Sequence, residues 1–235
     1  MKITTIGFDG DDTLWHHANY FAETEHKFHV LMNELGDYPD AEDQVKALHI
    51  ANIPLWGYGV KSFTLSMIET ANNLTSGEIS GRYIKRIMEI GRSLYEHPVI
   101  LLDHVAETIQ NLQGKYRLIL ITKGDLLAQE LKIAQSKLAP FFEGIEIVSE
   151  KDIETYQRIF KRYGVNPAET VMVGNSVKSD ILPPLEIGAN AIHIPYQFNW
   201  KHEVVELDEE EQKKFLVLPT IQNLPEALHY LENVT

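Results

Sequence analysis

The sequence predicts an α/β protein in which a parallel sheet, covered by helices on both faces, is interrupted after its first strand by a set of four helices. Three observations predict it. Helix and strand periodicities alternate from Val99 to the C-terminus, the signature of a parallel sheet with helical crossovers. A short apolar strand near the N-terminus ends in the acidic run Asp9-Gly10-Asp11-Asp12. Between the two lies a stretch of amphipathic helical spacing with no strand pattern, which divides the chain into 1–15 plus 98–235 for the sheet and 16–97 for the helical insertion.

Taken in order, Ile3, Ile6 and Phe8 belong to the first, buried strand. Phe28, Leu31, Met32 and Leu35 share one face of a first helix that Gly36 stops. A second helix opens at Asp40, turns Val45, Leu48 and Ala51 inward and ends at Pro54. A third carries Val60, Phe63, Met67, Ile68, Ala71 and Leu74 at i, i+3, i+4 spacing. Thr75 with Glu78 reads as the capping box of a fourth, with Ile79, Tyr83, Ile87, Ile90 and Leu94 on its buried face and His97-Pro98 at its close.

Asp103 then caps a helix through Val105, Ile109 and Leu112 that ends at Gly114, and Arg117–Ile121 is a buried strand leading to Thr122-Lys123-Gly124-Asp125. A helix with Leu127, Leu131, Ala134 and Leu138 inward follows, then strand Ile145–Val148 before Ser149-Glu150-Lys151. A helix carrying Tyr156, Ile159, Phe160 and Tyr163 ends at Gly164. Val171–Val173 is the next strand and runs into Gly174-Asn175-Ser176-Val177-Lys178-Ser179-Asp180; a short helix to Gly188 leads to strand Ala191–Ile194. Glu203–Glu211 reads as a solvated acidic stretch, Phe215–Leu218 as an edge strand and Pro225–Leu231 as a terminal helix.

Composition narrows the chemistry. With no cysteine there is no disulfide, thiolate metal site or Cys nucleophile, so any metal is hard and oxygen-bound. A formal net charge of −13 argues against nucleic acid as partner, because that binding draws on Lys and Arg. No apolar run approaches 18 residues and no secretory leader precedes the first strand, so neither a membrane nor export is expected and the cytoplasm is the expected compartment. The oligomeric state stays open.

A parallel sheet brings its strand ends to one edge, so Asp9 and Asp11, Thr122, Lys151, and Asn175 with Asp180 are expected to converge on one pocket. These types suit phosphoryl transfer. One aspartate attacks phosphorus, a second protonates the leaving oxygen and later activates water, and Mg²⁺ with a lysine neutralises the phosphoryl oxygens. Trp15, His16 and His17 after the acidic loop, and Trp56-Gly57-Tyr58-Gly59 in the insertion, offer aromatic surface for a substrate, although two adjacent histidines alone do not make a zinc site.

The chain resembles the haloacid dehalogenase superfamily over essentially its whole length. Asp9-Gly10-Asp11-Asp12-Thr13 is similar to its first motif, Thr122 to the second, Lys151 to the third and Gly174–Asp180 to the fourth, in order and each after its own strand. The resemblance implies a Rossmann-like three-layer core with an inserted four-helix cap of the C1 type. It implies Asp9 as nucleophile, Asp11 as acid/base, Thr122 and Lys151 as catalytic groups, and Mg²⁺ held by Asp9, the Asp11 carbonyl and Asn175 or Asp180.

Lys123, Gly124, Trp15 and Tyr58 join Thr122 as expected substrate contacts, the substrate being a small soluble phosphomonoester such as a nucleoside monophosphate or a sugar phosphate. The chain departs from the pattern at Asn175, where the motif usually has Asp, and at Asp152, where the third motif often continues with Pro. Asp11 is absent from the dehalogenases of this superfamily, since a halide needs no proton, and its presence favours phosphate ester hydrolysis over the alternatives of dehalogenation, phosphomutase chemistry or a non-catalytic binding role.

Overall fold

The structure is a computed structural model that describes residues 2–198 and 200–234. Six strands form one sheet in the order β3-β2-β1-β4-β5-β6: β1 (Thr5–Phe8), β2 (Arg117–Lys123), β3 (Gly144–Val148), β4 (Thr170–Gly174), β5 (Asn190–His193) and β6 (Leu216–Val217). Every neighbouring pair is parallel, with Phe8 opposite Leu120 on one side and Val173 on the other. The connectivity reverses at β1, so the carboxyl ends of β1 and β4 flank the crevice where open α/β sheets bind ligands.

Alternate strand residues face opposite sides. Ile6, Phe8, Leu118, Leu120, Val171 and Val173 pack with α5 (Val105–Leu112) and α10 (Leu224–Val234). Ile119, Ile121 and Met172 meet Tyr156, Ile159 and Phe160 of α7 (Ile153–Tyr163) on the other face. The remaining helices of this part are α6 (Leu126–Ser136) and the short α8 (Leu182–Glu186) and α9 (Glu209–Gln212). The chain divides into two compact units: 1–16, 99–123 and 129–235 around the sheet, and 17–98 with 124–128 around the inserted helices. α6 therefore starts in one unit and ends in the other.

The helical unit comprises α1 (Ala18–Leu35), α2 (Ala41–Trp56), α3 (Val60–Leu74) and α4 (Gly81–Glu96), packed around Phe28, Met32, Val45, Phe63, Met67 and Ile87. Two boundaries differ from the sequence reading. α2 runs through Pro54, which stands exposed in the last turn where it costs one ladder bond, and ends at Gly57 with φ 72°. Thr75 and Glu78 do not cap α4. Thr75 closes α3, its hydroxyl donating to the Ala71 carbonyl at 2.8 Å, and α4 begins after Ser80.

Two buried faces also differ. α2 turns His49 and Asn52 inward instead of Leu48 and Ala51, because the Asn52 amide finds Ser66 Oγ at 3.2 Å and Glu69 Oε2 at 2.9 Å. α6 buries Ala128, Gln129, Ile133 and Ser136 and leaves Leu126, Leu127 and Leu131 exposed, the reverse of the expected face. Asp103 makes no cap at α5, which opens after His104 with φ 65°. In the segment 124–128, Asp125 pairs with Lys61 at 2.8 Å, and a Cβ on Gly59 would meet Asp125 at 3.0 Å.

Gly91 lets α3 and α4 touch: a Cβ there would stand 2.1 Å from Thr64 Oγ1 and 3.0 Å from Thr64 Cβ. Gly91→Ala gains about 1 kcal/mol of helix propensity, but the overlap costs more, and the variant is expected to be destabilised by a net of about 1–2 kcal/mol in urea denaturation.

Candidate active site

The site grows from the turn after β1. The Asp9 N–H donates to the Val173 carbonyl at 2.9 Å, so the carboxylate leaves the sheet at the β1–β4 crevice. The chain then folds back on itself: the N–H groups of Thr13, Leu14 and Trp15 point to the Gly10 carbonyl, and Asp12, at φ 63°, donates its N–H to the Trp15 carbonyl at 2.7 Å. The left-handed position gives Asp12 a loop-shaping role. Thr13 Oγ1 donates to Asp9 Oδ2 at 2.8 Å. A Cβ on Gly10 would lie 3.2 Å from Thr122 Oγ1, which sets the end of β2 directly against this loop.

Lys151, expected after β3, is 3% exposed, and its ammonium lies between two carboxylates, 2.5 Å from Asp9 Oδ1 and 2.7 Å from Asp180 Oδ1. Its neighbour Asp152 caps α7 by accepting the Thr155 N–H at 2.8 Å, which accounts for an aspartate where proline is usual. Asp180 reaches Lys151 through a single π-helical turn, Val177–Ile181, that folds its other oxygen onto the Ser176 N–H at 3.0 Å. Gly174 is obligatory at this point, because a Cβ would meet the Asp180 carboxylate at 2.3 Å.

Burial pushes the Asp9 carboxyl up, to about 7, against the pull of Lys151 and with the push of Asp180. The same burial opposes charge on Lys151, but Asp180 and Asp9 outweigh it and hold the ammonium above its ordinary range.

Asp11 points to a different set of donors. Lys132 Nζ lies 2.6 Å from each of its oxygens, Trp15 Nε1 2.6 Å from Oδ1 and Gln129 Nε2 3.1 Å from Oδ2. Gln129 Nε2 is also 2.6 Å from Thr122 Oγ1. Trp15, expected to face substrate, is 0% exposed and spends its indole N–H on Asp11, so it presents no surface to a ligand. His16 lies 2.6 Å from the Tyr196 hydroxyl, and His17 rests against Phe21. Tyr58 and Gly124 fall in the helical unit, Tyr58 at the α2–α3 turn and Gly124 at φ 151°.

Lys123 does not stand open to an anion. Its ammonium lies 2.7 Å from Glu203, 3.0 Å from Ser179 Oγ and 3.1 Å from Glu150. Glu203, which the sequence placed in a solvated stretch, also accepts from Ser176 Oγ at 2.5 Å and Ser179 Oγ at 2.6 Å. Burial opposes its charge, but Lys123 and the two serines prevail and bring its carboxyl down to about 2.

The sequence reading thus missed Gln129, Lys132, Ser176, Ser179 and Glu203. A signal existed for two of them: Gln129, Lys132 and Ser136 recur at i, i+3, i+7 as a polar stripe on a helix whose leucines drew the eye.

Asn175, at the end of β4, faces the Asp9–Asp11 loop. With its amide oriented to satisfy both ends, the nitrogen is 3.2 Å from the Asp11 carbonyl and 3.3 Å from Asp9 Oδ2. Among the described residues no three His, Asp or Glu side chains converge on a metal position. The oxygens at this edge are those of Asp9 and Asp180, each already accepting hydrogen bonds, the Asp11 carbonyl, and that of Asn175, whose amide turns over to present it. This all-oxygen set fits Mg²⁺. Five carboxyls, those of Asp9, Asp11, Asp180, Glu150 and Glu203, stand against the three ammonium groups of Lys123, Lys132 and Lys151, a surplus of acid that a dication would relieve.

The model of the haloacid dehalogenase-like hydrolase family matches residues 3–188. A haloacid dehalogenase-like family hydrolase from Xanthomonas campestris is similar over 97% of this chain and 91% of its own, with a TM-score of 0.85 and 39% identity. The glyceraldehyde 3-phosphate phosphatase of Methanocaldococcus jannaschii is 26% identical over 99% of this chain and 98% of its own length. The N-acylneuraminate-9-phosphatase of Mus musculus is 34% identical over 40% of each chain.

The Glu203 contacts yield a pH dependence. A carboxyl lowered from 4.5 to about 2 on folding stabilises the protein fully above pH 4.5 and loses that contribution as pH falls toward about 2. Glu203→Gln is expected to be less stable than the wild type in urea at pH 7, with the gap narrowing steadily below pH 4.5.

Proposed function

Because the chain belongs to the haloacid dehalogenase-like hydrolase family, we propose that it is a Mg²⁺-dependent phosphatase of small phosphomonoesters that works through Asp9. The observation that carries the reading is the pairing of a buried Asp9–Lys151–Asp180 group with a second carboxylate, Asp11, held separately beside it by its own donors. Two carboxyls in different surroundings are what a nucleophile and an acid/base need.

In this reading an Asp9 oxygen attacks phosphorus as the ester P–O bond breaks, and Asp11 gives its proton to the departing alkoxide. Water then attacks the phosphorus of the aspartyl phosphate while Asp11 takes its proton, releasing phosphate and restoring Asp9. Thr13 fixes the orientation of Asp9 through its Oδ2, and Thr122 offers its hydroxyl to a phosphoryl oxygen. Lys151 balances charge as the nucleophile loses its own. Asp9, the Asp11 carbonyl and Asn175 would hold Mg²⁺, which when bound supplies positive charge to the phosphoryl oxygens. Lys123 acts through Glu203 and the serines and serves to organise the edge of the site.

With Trp15 sequestered, the indole next to the acidic loop offers a substrate no aromatic surface. The names of the relatives, which act on glyceraldehyde 3-phosphate and on an N-acylneuraminate 9-phosphate, support a phosphorylated sugar or related polyol as substrate class.

The test is phosphate release from p-nitrophenyl phosphate and a panel of sugar phosphates and nucleoside monophosphates, with and without Mg²⁺. Turnover is expected to require the metal, to favour sugar phosphates and to fall at least about 1,000-fold in Asp9→Asn. Release of halide from 2-haloacids with no phosphate release would overturn the reading. Asn175→Asp adds a charged oxygen ligand and is expected to lower the Mg²⁺ concentration for half-maximal activity, read from a metal titration of the two proteins.

A further inference from the structure

α6 presents Gln129 and Lys132, one turn apart, to the catalytic edge. Their contacts with Asp11 are not equivalent. Lys132 Nζ is 2.6 Å from both carboxylate oxygens, so it fixes the direction of the group without telling one oxygen from the other. Trp15 bonds Oδ1 alone and Gln129 bonds Oδ2 alone, and together they set the roll of the carboxyl plane.

Gln129 has two properties that packing does not explain. Its Nε2 carries two hydrogens but lies within reach of three acceptors, Thr122 Oγ1 at 2.6 Å, the Lys123 carbonyl at 2.8 Å and Asp11 Oδ2 at 3.1 Å. The residue is 1% exposed, yet its Oε1 is buried with no hydrogen-bond partner. A leucine would fill the space without an orphaned carbonyl. Tolerating that carbonyl makes sense where the other end of the amide has a task.

We propose that Gln129 is a positioning residue for the acid/base step: it ties the Asp11 carboxyl to the Thr122 hydroxyl, so that the group that meets the leaving oxygen keeps a fixed place relative to the group that meets the phosphoryl oxygens. Lys132 aims the carboxyl and Gln129 selects which oxygen faces the reacting bond. What the alignment accomplishes rests on the phosphatase reading; the alignment itself rests on the contacts alone. In the first step the proton moves from Asp11 to the departing oxygen as the P–O bond breaks and the Asp9–P bond forms. An alkoxide cannot leave without that proton, whereas p-nitrophenolate can. Misplacing Asp11 must therefore harm the two substrate types unequally.

The experiment compares wild type, Gln129→Leu and Gln129→Glu on p-nitrophenyl phosphate and on an alkyl phosphate such as glycerol phosphate. Both variants keep the size of the side chain, and the second keeps its polarity if the first does not fold. For the alkyl ester kcat/KM is expected to fall by about 30-fold or more, while kcat/KM for p-nitrophenyl phosphate, which reports only the steps up to loss of the leaving group, falls by no more than about 3-fold; hydrolysis of the aspartyl phosphate, which also uses Asp11, enters kcat of both substrates alike.

An independent reading comes from the Trp15 indole N–H resonance, identified by elimination with Trp56→Phe and Trp200→Phe. It is expected to shift in the Gln129 variants, because its acceptor, Asp11 Oδ1, turns. Equal losses of kcat/KM on both substrates, or no loss on either, overturn the role in proton transfer to the leaving group, and an unmoved indole resonance overturns the alignment. A wild type that hydrolyses neither ester overturns the phosphatase reading instead, and the indole shift then decides the alignment by itself.

Discussion

A lysine ammonium with almost no access to water is the constraint on which this structure turns. Charge at that depth is tolerable only when it is matched, and removing one partner from such a group costs about 3–5 kcal/mol. Lys151 is matched by Asp9 and Asp180, and the three arrive from the carboxyl ends of β3, β1 and β4. A parallel sheet, with β4 beside β1 and β3 one strand beyond it across β2, brings their carboxyl ends to one edge. The local oddities follow from the same demand: the glycine at 174 makes room for the Asp180 carboxylate, and the π-turn carries Asp180 far enough round to reach the ammonium. The ion group selects the turn, and the turn selects the residue.

Around this group the charges are partitioned. Lys151 serves Asp9 and Asp180, Lys132 serves Asp11, and Lys123 serves Glu203 and Glu150. Keeping Asp9 and Asp11 on separate cations gives the two carboxyls separate environments within a single crevice. The excess of negative charge then means that a phosphate dianion meets repulsion unless a cation accompanies it, in a protein whose net charge is already −13. Asn175 lowers that excess by one charge relative to an aspartate, and its amide can turn a hydrogen-bonding end toward Asp9 and the Asp11 carbonyl.

Most of the sheet was legible because buried parallel strands are nearly continuous apolar runs, and the residues just past each run are few enough to inspect. Thr122, Lys151, Asn175 and Asp180 are singled out that way, and the structure brings Asp9, Lys151 and Asp180 into direct contact. Other features resisted for physical reasons. On α6 hydrophobicity pointed outward: the leucines are exposed, and the polar residues go inward because the catalytic edge supplies partners for them. Glu203 sits in a run of acidic residues and looks no different from its neighbours until Lys123, Ser176 and Ser179 close on it. Trp15 appeared to be a surface for ligands because an aromatic after a catalytic loop invites that reading; its indole N–H already had an acceptor four residues back. Thr75 matched a cap pattern whose meaning depends on which helix it touches.

α6 belongs to both units, its first turn grouped with the inserted helices and the rest with the sheet. From Gln129 onward the helix belongs to the sheet unit, and its polar face is committed to Asp11, Thr122 and the Lys123 carbonyl. A helix face spent in this way cannot slip by even one residue without leaving a mostly buried carboxylate unmatched, so the register of α6 against the sheet is fixed by charge rather than by the fit of apolar side chains.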